Sequence, residues 1–179
     1  MHSPARLPRL YLLIVACAVV TIGSPGTAAG ETIVEVRVST AKDDAEENSS
    51  GSLTNSSSDL EFMEDSGSVQ AYVGMRFVNV NVPQGANVVN AYLELTTDEK
   101  GSNPADVAFY AEDSDDPVTF SSQFIISTRP KTSASVTWNN VPPWNTIGQV
   151  HQTPNLAAII QEVVNRPGWV SGNAMAVLA

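Results

Sequence analysis

The chain has 179 residues, 9 basic and 19 acidic, for a formal net charge of −10. That balance repels nucleic acid and anionic membrane surfaces, so neither is an expected partner. One cysteine, Cys17, leaves nothing for it to pair with, which excludes an internal disulfide framework.

Residues 1–29 read as a secretory leader that lies outside the fold. Arg6 and Arg9 give a basic start, Leu10 to Ile22 an apolar run short for a membrane span, and Thr27 and Ala29 a small-residue exit suited to signal peptidase. Pro25 and Gly26 break the run and argue against a retained anchor. "LIVAC" resembles a lipoprotein box only faintly, because apolar residues continue past Cys17. The expected mature chain, residues 30–179, is one domain of about 150 residues. Losing Arg6 and Arg9 from the nine basic residues leaves seven against nineteen acidic, a net charge of −12. The mature chain has no thiol for catalysis or metal binding, no membrane insertion is expected, and it is placed outside the cell or at the cell surface.

Apolar residues of the mature chain recur mostly with period two, the mark of half-buried strands. In "TIVEVRVS", Val34, Val36 and Val38 share one face while Ile33, Glu35 and Arg37 share the other. "KDDAEEN" follows as a loop. "VQAYVGMRFVNVNV" aligns Val73, Met75, Phe77 and Asn79 against Tyr72, Gly74, Arg76 and Val78, and "NVVNAYLELTT" aligns Val89, Ala91, Leu93 and Leu95. "DVAFYAE" and "SVTW" are shorter strands. The stretches between them ("NSSGSLTNSSSD", "EDSGS", "VPQGAN", "DEKGSNPAD", "EDSDDP") are rich in turn-forming residues. "TPNLAAIIQEVVNRPGW" breaks the pattern: Leu156, Ile159, Ile160, Val163 and Val164 fall at helical spacing, with Thr153 as the expected cap and "NRPG" as the stop. The expected fold is all-β, a jelly-roll-like antiparallel β-sandwich carrying one short amphipathic helix of about three turns near its C-terminus. The closing "AMAVLA" is strand-like with no polar exit, so the module is expected to be C-terminally truncated and joined covalently to downstream domains.

No catalytic constellation emerges. His151 is the one histidine of the mature chain, no second histidine is spaced with it for zinc, and neither a nucleophile elbow nor a phosphate-binding glycine loop is present. Acids gather in two places around one long turn: Asp43, Asp44, Glu46 and Glu47, then Asp59 and Glu61. Calcium takes six to eight oxygen ligands from such loops, so a structural calcium is the candidate metal, with a plain solvated acidic face as the alternative; the spacing is not that of an EF-hand. Asp113, Asp115 and Asp116 form a further acidic turn. Among the aromatics, Trp138 shares a strand face with Val136 and is expected in the core, and Trp169 packs on the helix end. Trp144 follows two prolines in a loop with Asn139, Asn140 and Asn145, whose amides suit sugar hydroxyls. Tyr72 and Tyr92 lie opposite the assigned apolar faces and suit an outer aromatic platform.

The order of these motifs resembles that of the secreted modules called DNRLRE-type, disaggregatase-related or carbohydrate-binding module family ninety-six domains. Met75-Arg76-Phe77, Val82-Pro83-Gln84-Gly85-Ala86-Asn87-Val88 and Ala91-Tyr92-Leu93-Glu94-Leu95 look like the family's central hairpin. Val136-Thr137-Trp138 with Pro143-Trp144, then the helix, Trp169 and Ser171-Gly172-Asn173, follow in the family's order over essentially the whole mature chain. The resemblance implies a jelly-roll-like sandwich, a non-catalytic module, and a polysaccharide or cell-surface glycan as partner. It supplies no sugar-contacting residue, and it implies a further strand after "AMAVLA". The expectation is therefore an extracellular carbohydrate-binding or adhesion module of a larger protein. The alternatives are a purely structural spacer, or an accessory domain of a polysaccharide-degrading enzyme encoded downstream.

Overall fold

A computed structural model describes residues 11–17, 31–56, 60, 64–65, 68–101, 105–122 and 125–179. It contains strands β1 (Tyr11–Cys17), β2 (Glu31–Arg37), β3 (Asp44–Asn48), β4 (Leu53–Thr54), β5 (Glu64–Asp65), β6 (Ser68–Phe77), β7 (Asn87–Thr96), β8 (Val107–Ala111), β9 (Val136–Trp138), β10 (Val150–Gln152) and β11 (Met175–Leu178), with one α-helix, α1 (Ala157–Val164). The strands form two antiparallel sheets. One has the order β10-β7-β1-β2; the other has the order β4-β3-β6-β11-β8-β9, with β5 pairing on β6. The fold is all-β and sandwich-like, as expected from the period-two pattern.

The inner faces of the two sheets share one core. The first sheet supplies Val34, Val88, Ala91, Leu93 and Leu95; the second supplies Val73, Met75, Phe77, Val107, Phe109, Ala111, Met175 and Val177. Helix α1 closes this core with Ile159, Ile160, Val163 and Val164, the residues its sequence spacing singles out. Three details differ from expectation. The core position of β7 is Val88 rather than Val89, which is 47% exposed. Its register against β1 shifts between Val15 and Ala16, and the extra residue of that bulge turns the alternation over. The helix spans eight residues, just over two turns. Finally, the Thr153 hydroxyl accepts from Leu93 N (3.0 Å) rather than capping the helix, and Asn155 Oδ1 accepts from Ala157 N (2.9 Å) instead.

Those side chains have a second task. Beyond the three residues that β10 pairs, the edge of β7 would be open. Leu93 N donates to Thr153, Ala91 N to Asn155 Oδ1 (3.1 Å) and Val88 N to Gln161 Oε1 (2.8 Å), so side chains continue the ladder where the strand stops.

A second apolar layer lies on the other side of the larger sheet, where Ala45, Phe120, Ile126, Ala176 and Leu178 cluster with Leu53 packed against them. β11 serves both layers: Met175 and Val177 point into the main core, Ala176 and Leu178 into the outer one, and all four are buried. Burial on both faces explains why "MAVL" is continuously apolar, with no alternation. Gly74 sits beneath the Phe120 ring, where any Cβ would overlap the ring atoms, so glycine is required by close approach.

One reading of the chain needs revision here. "KDDAEEN" is largely strand: β3 covers Asp44–Asn48, and Ala45, Glu46 and Glu47 are buried. Tyr11–Cys17, within the expected leader, forms an interior strand of the smaller sheet in this full-length chain, paired along all seven residues with β2 and also with β7.

Candidate functional site

The aromatic and asparagine-bearing loop after β9 is anchored to the end of β7. Trp144 and Gly101 exchange backbone hydrogen bonds (Trp144 N to Gly101 O, 2.7 Å; Gly101 N to Trp144 O, 3.0 Å). Thr97 does the same with the far side of the loop, donating to Gln149 O and accepting from Gly148 N, both at 2.8 Å. Gly148 has φ +81°, the left-handed conformation that lets the loop turn into β10. These clamps bring the Trp144 indole flat against the His151 imidazole, with ring centroids 4.5 Å apart and planes 9° apart. The His151 Nε2 atom shares a 3.0 Å hydrogen bond with Thr97 Oγ1. Burial lowers the pKa of His151, because the apolar surroundings penalise the charged ring. The result is a neutral imidazole serving as a stacking floor for the indole, and Trp144 keeps partial exposure.

Around it, Asn139, Asn140 and Asn145 are exposed. Asn140 adopts φ +52°, a conformation asparagine tolerates, and its backbone N–H donates to Asp106 Oδ1 (2.8 Å). Ile147 and Val150, 63% and 53% exposed, add apolar surface on the same loop and strand. A rigid aromatic, flanking amides and a little apolar rim can together stack on and hydrogen-bond a polar ring.

The other expected residues separate. Trp138 is half-buried on β9 against the core, and Trp169 is fully packed, its indole N–H donating to Val82 O (2.9 Å) beyond the helix. Tyr72 and Tyr92 lie on different sheets: Tyr72 is outward on β6 with the Lys131 ammonium 5.3 Å from its ring, and Tyr92 is outward on β7. The inner faces of those strands meet in the core, so their outer faces point apart and the two tyrosines form no common platform.

The acidic residues are distributed in the same way. Asp43 pairs with Arg76 (2.6 Å) and accepts from Thr40 Oγ1 (2.8 Å). Glu47 receives Ser127 N (2.8 Å) and Ser127 Oγ (2.5 Å). Asp44 and Glu46 sit along β3 in register with Met75 and Val73. Asp59 and Glu61 lie outside the described residues. Among the described residues no three His, Cys, Asp or Glu side chains gather as a metal-holding group. Asp113 and Asp115 both engage Arg166, and Asp116 Oδ1 accepts from Ala174 N (2.8 Å), so the third acidic turn is a structural clasp. Sequence reasoning missed the arginines that organise these acids. Arg129 is the deepest: it pairs with Glu112 (2.6 Å) and lies over the Phe120 ring at 4.2 Å. For Arg76 the available signal was a lone arginine within an apolar strand, "MRF", which calls for a buried acid nearby; Arg129 and Arg166 lie outside strands and carry no such mark.

Comparison with protein-family models, with curated proteins and with solved structures finds no match to this chain.

Proposed function

We propose that the chain is a non-catalytic, extracellular carbohydrate-binding or adhesion module, and that it holds a glycan at the Trp144 loop. The observation that carries this reading is the Trp144–His151 stack, an aromatic face already fixed in place before any ligand arrives, with Asn139, Asn140 and Asn145 exposed on the same loop. Fixing the indole beforehand removes most of the ordering cost of binding. The resemblance to secreted sandwich modules and the expected leader support the cellular setting. Affinity gel electrophoresis of the full chain through acidic and neutral polysaccharides tests the reading. Retardation is expected on at least one of them. The Asn139→Ala, Asn145→Ala double variant should lose much of that retardation at an unchanged melting temperature. Trp144→Ala should weaken binding about 10-fold or more.

Two observations favour a structural spacer instead: His151 covers one face of the indole, and Trp144 also packs against the core. Under that reading Trp144→Ala lowers the melting temperature, and no polysaccharide retards the chain. Absence of retardation on every polysaccharide, with the protein folded, would exclude the binding proposal.

A further inference from the structure

The smaller sheet is held together by a segment with two incompatible uses. β1 is the interior strand between β7 and β2, and among the described residues β2 joins the sheet through β1 alone. The same residues are the centre of the apolar run that reads as a secretory leader. Leader cleavage near Ala29 would sever this strand from the chain whose sheet it completes.

The register defines what the position demands. Leu12 lies between Val36 and Leu93, Ile14 between Val34 and Ala91, and Ala16 between Thr32 and Val88. Val34, Val88, Ala91 and Leu93 are buried core residues, so these alternate positions belong to the core face. Tyr11, Leu13 and Val15 instead register with Arg37 and Glu94, Glu35 and Tyr92, Ile33 and Asn90, which line the outer face. The position therefore asks for apolar residues only at every second place. "YLLIVAC" is apolar throughout, more than a strand here needs and what a translocated leader requires.

We propose that the gap between β2 and β7 is a strand-acceptor groove. Its occupant is an extended peptide strand, antiparallel to both neighbours and apolar at alternate positions, of which residues 11–17 are the resident copy. The partner it fits is a protein segment of that pattern, added to the sheet by backbone hydrogen bonding. Dependence on an added strand after export rests on the leader reading; the groove itself does not.

The test uses the full chain with a site-specific protease sequence inserted between residues 18 and 30, cut after folding. A fluorescein-labelled peptide spanning residues 10–17 with a solubilising lysine tail is then added, and its anisotropy followed. The cut chain should hold its strand through gel filtration and exchange it for the labelled peptide. A peptide carrying Ile14→Asp should be taken up at least about 10-fold less well, whereas Leu13→Lys, at an outer position, should be taken up comparably. If the cut segment is shed, the melting midpoint matches the uncut chain and no peptide is taken up, the groove does not exist. Equal uptake of both substituted peptides would likewise overturn it, since binding would then lack the register. N-terminal mass analysis of the exported protein separately tests the leader: a chain beginning at residue 30 supports dependence on an added strand, and one retaining residues 11–17 overturns that dependence alone.

Discussion

Asp43 and Asp44 are adjacent carboxylates with opposite fortunes. Asp43 is buried but paired with Arg76 and hydrogen-bonded by Thr40. Asp44 is half-buried, and burial pushes its pKa up to about 6, aided by the negative charge of Asp43 and opposed by a backbone hydrogen bond. A carboxyl with a raised folded pKa takes up a proton in the native state that the unfolded chain does not yet hold. Its destabilisation is complete above about 6 and is relieved as pH falls towards the unfolded value of 3.8. Asp44→Asn should therefore stabilise the protein at pH 7.5, by about 1 kcal/mol once solvent screening of a half-exposed group is allowed for. That advantage should close as pH falls to 4. His151 acts in the opposite direction. Its lowered pKa means that the unfolded chain protonates first, so the stability held above 6.5 is lost as pH falls below it. The melting temperature of Asp44→Asn should thus fall more steeply between pH 7.5 and 5 than that of the parent, in which the two effects offset. A constant gap between the two proteins across pH would rule out a raised Asp44.

At the scale of elements, β3 shows what buried charge can do to a strand that looks like a loop. Its Glu47 carboxylate reaches the short 3-10 turn Ile126–Thr128 and takes both the N–H and the hydroxyl of Ser127. This clip fixes the outer layer to the sheet edge. Glu47→Ala leaves Ser127 N without its acceptor and should cost roughly 2 kcal/mol in urea unfolding, with Glu47→Gln costing less because one oxygen still accepts. Equal stability of Glu47→Ala and the parent would show the clip to be idle. Period two marks β2, β6 and β8, and helical spacing marks the core stripe of α1, because in each an apolar face meets one core. Period two fails on β3, where Ser127 satisfies the buried Glu47 and Arg76 the Asp43 just before the strand, both residues distant in sequence. It placed the wrong residue of β7 inward because a bulge leaves no mark on composition. The Trp144–His151 stack was equally illegible: each residue could be singled out, but the clamp that joins them is made by Gly101 and Thr97 on the other side of the molecule's chain order.

At the scale of the molecule, the larger sheet is a wall between two apolar layers, and β11 is the element common to both. Met175 and Val177 cannot leave the main core without drawing Ala176 and Leu178 from the outer one. Local unfolding of one layer therefore exposes apolar surface belonging to the other, and the two should melt as one cooperative unit. The tryptophans allow the point to be checked, because Trp138, Trp144 and Trp169 all belong to or pack against the main core, whereas Phe120 and Ile126 belong to the outer layer. Tryptophan fluorescence in a urea series reports the first. Thermolysin cleavage between residues 118 and 127, quantified by mass spectrometry at the same urea concentrations, reports the second. Coincident midpoints are expected. Cleavage that becomes rapid while the fluorescence is still native would show that the Arg129–Glu112 pair and the Glu47–Ser127 clip hold a separately released layer, and that β11 does not couple the two.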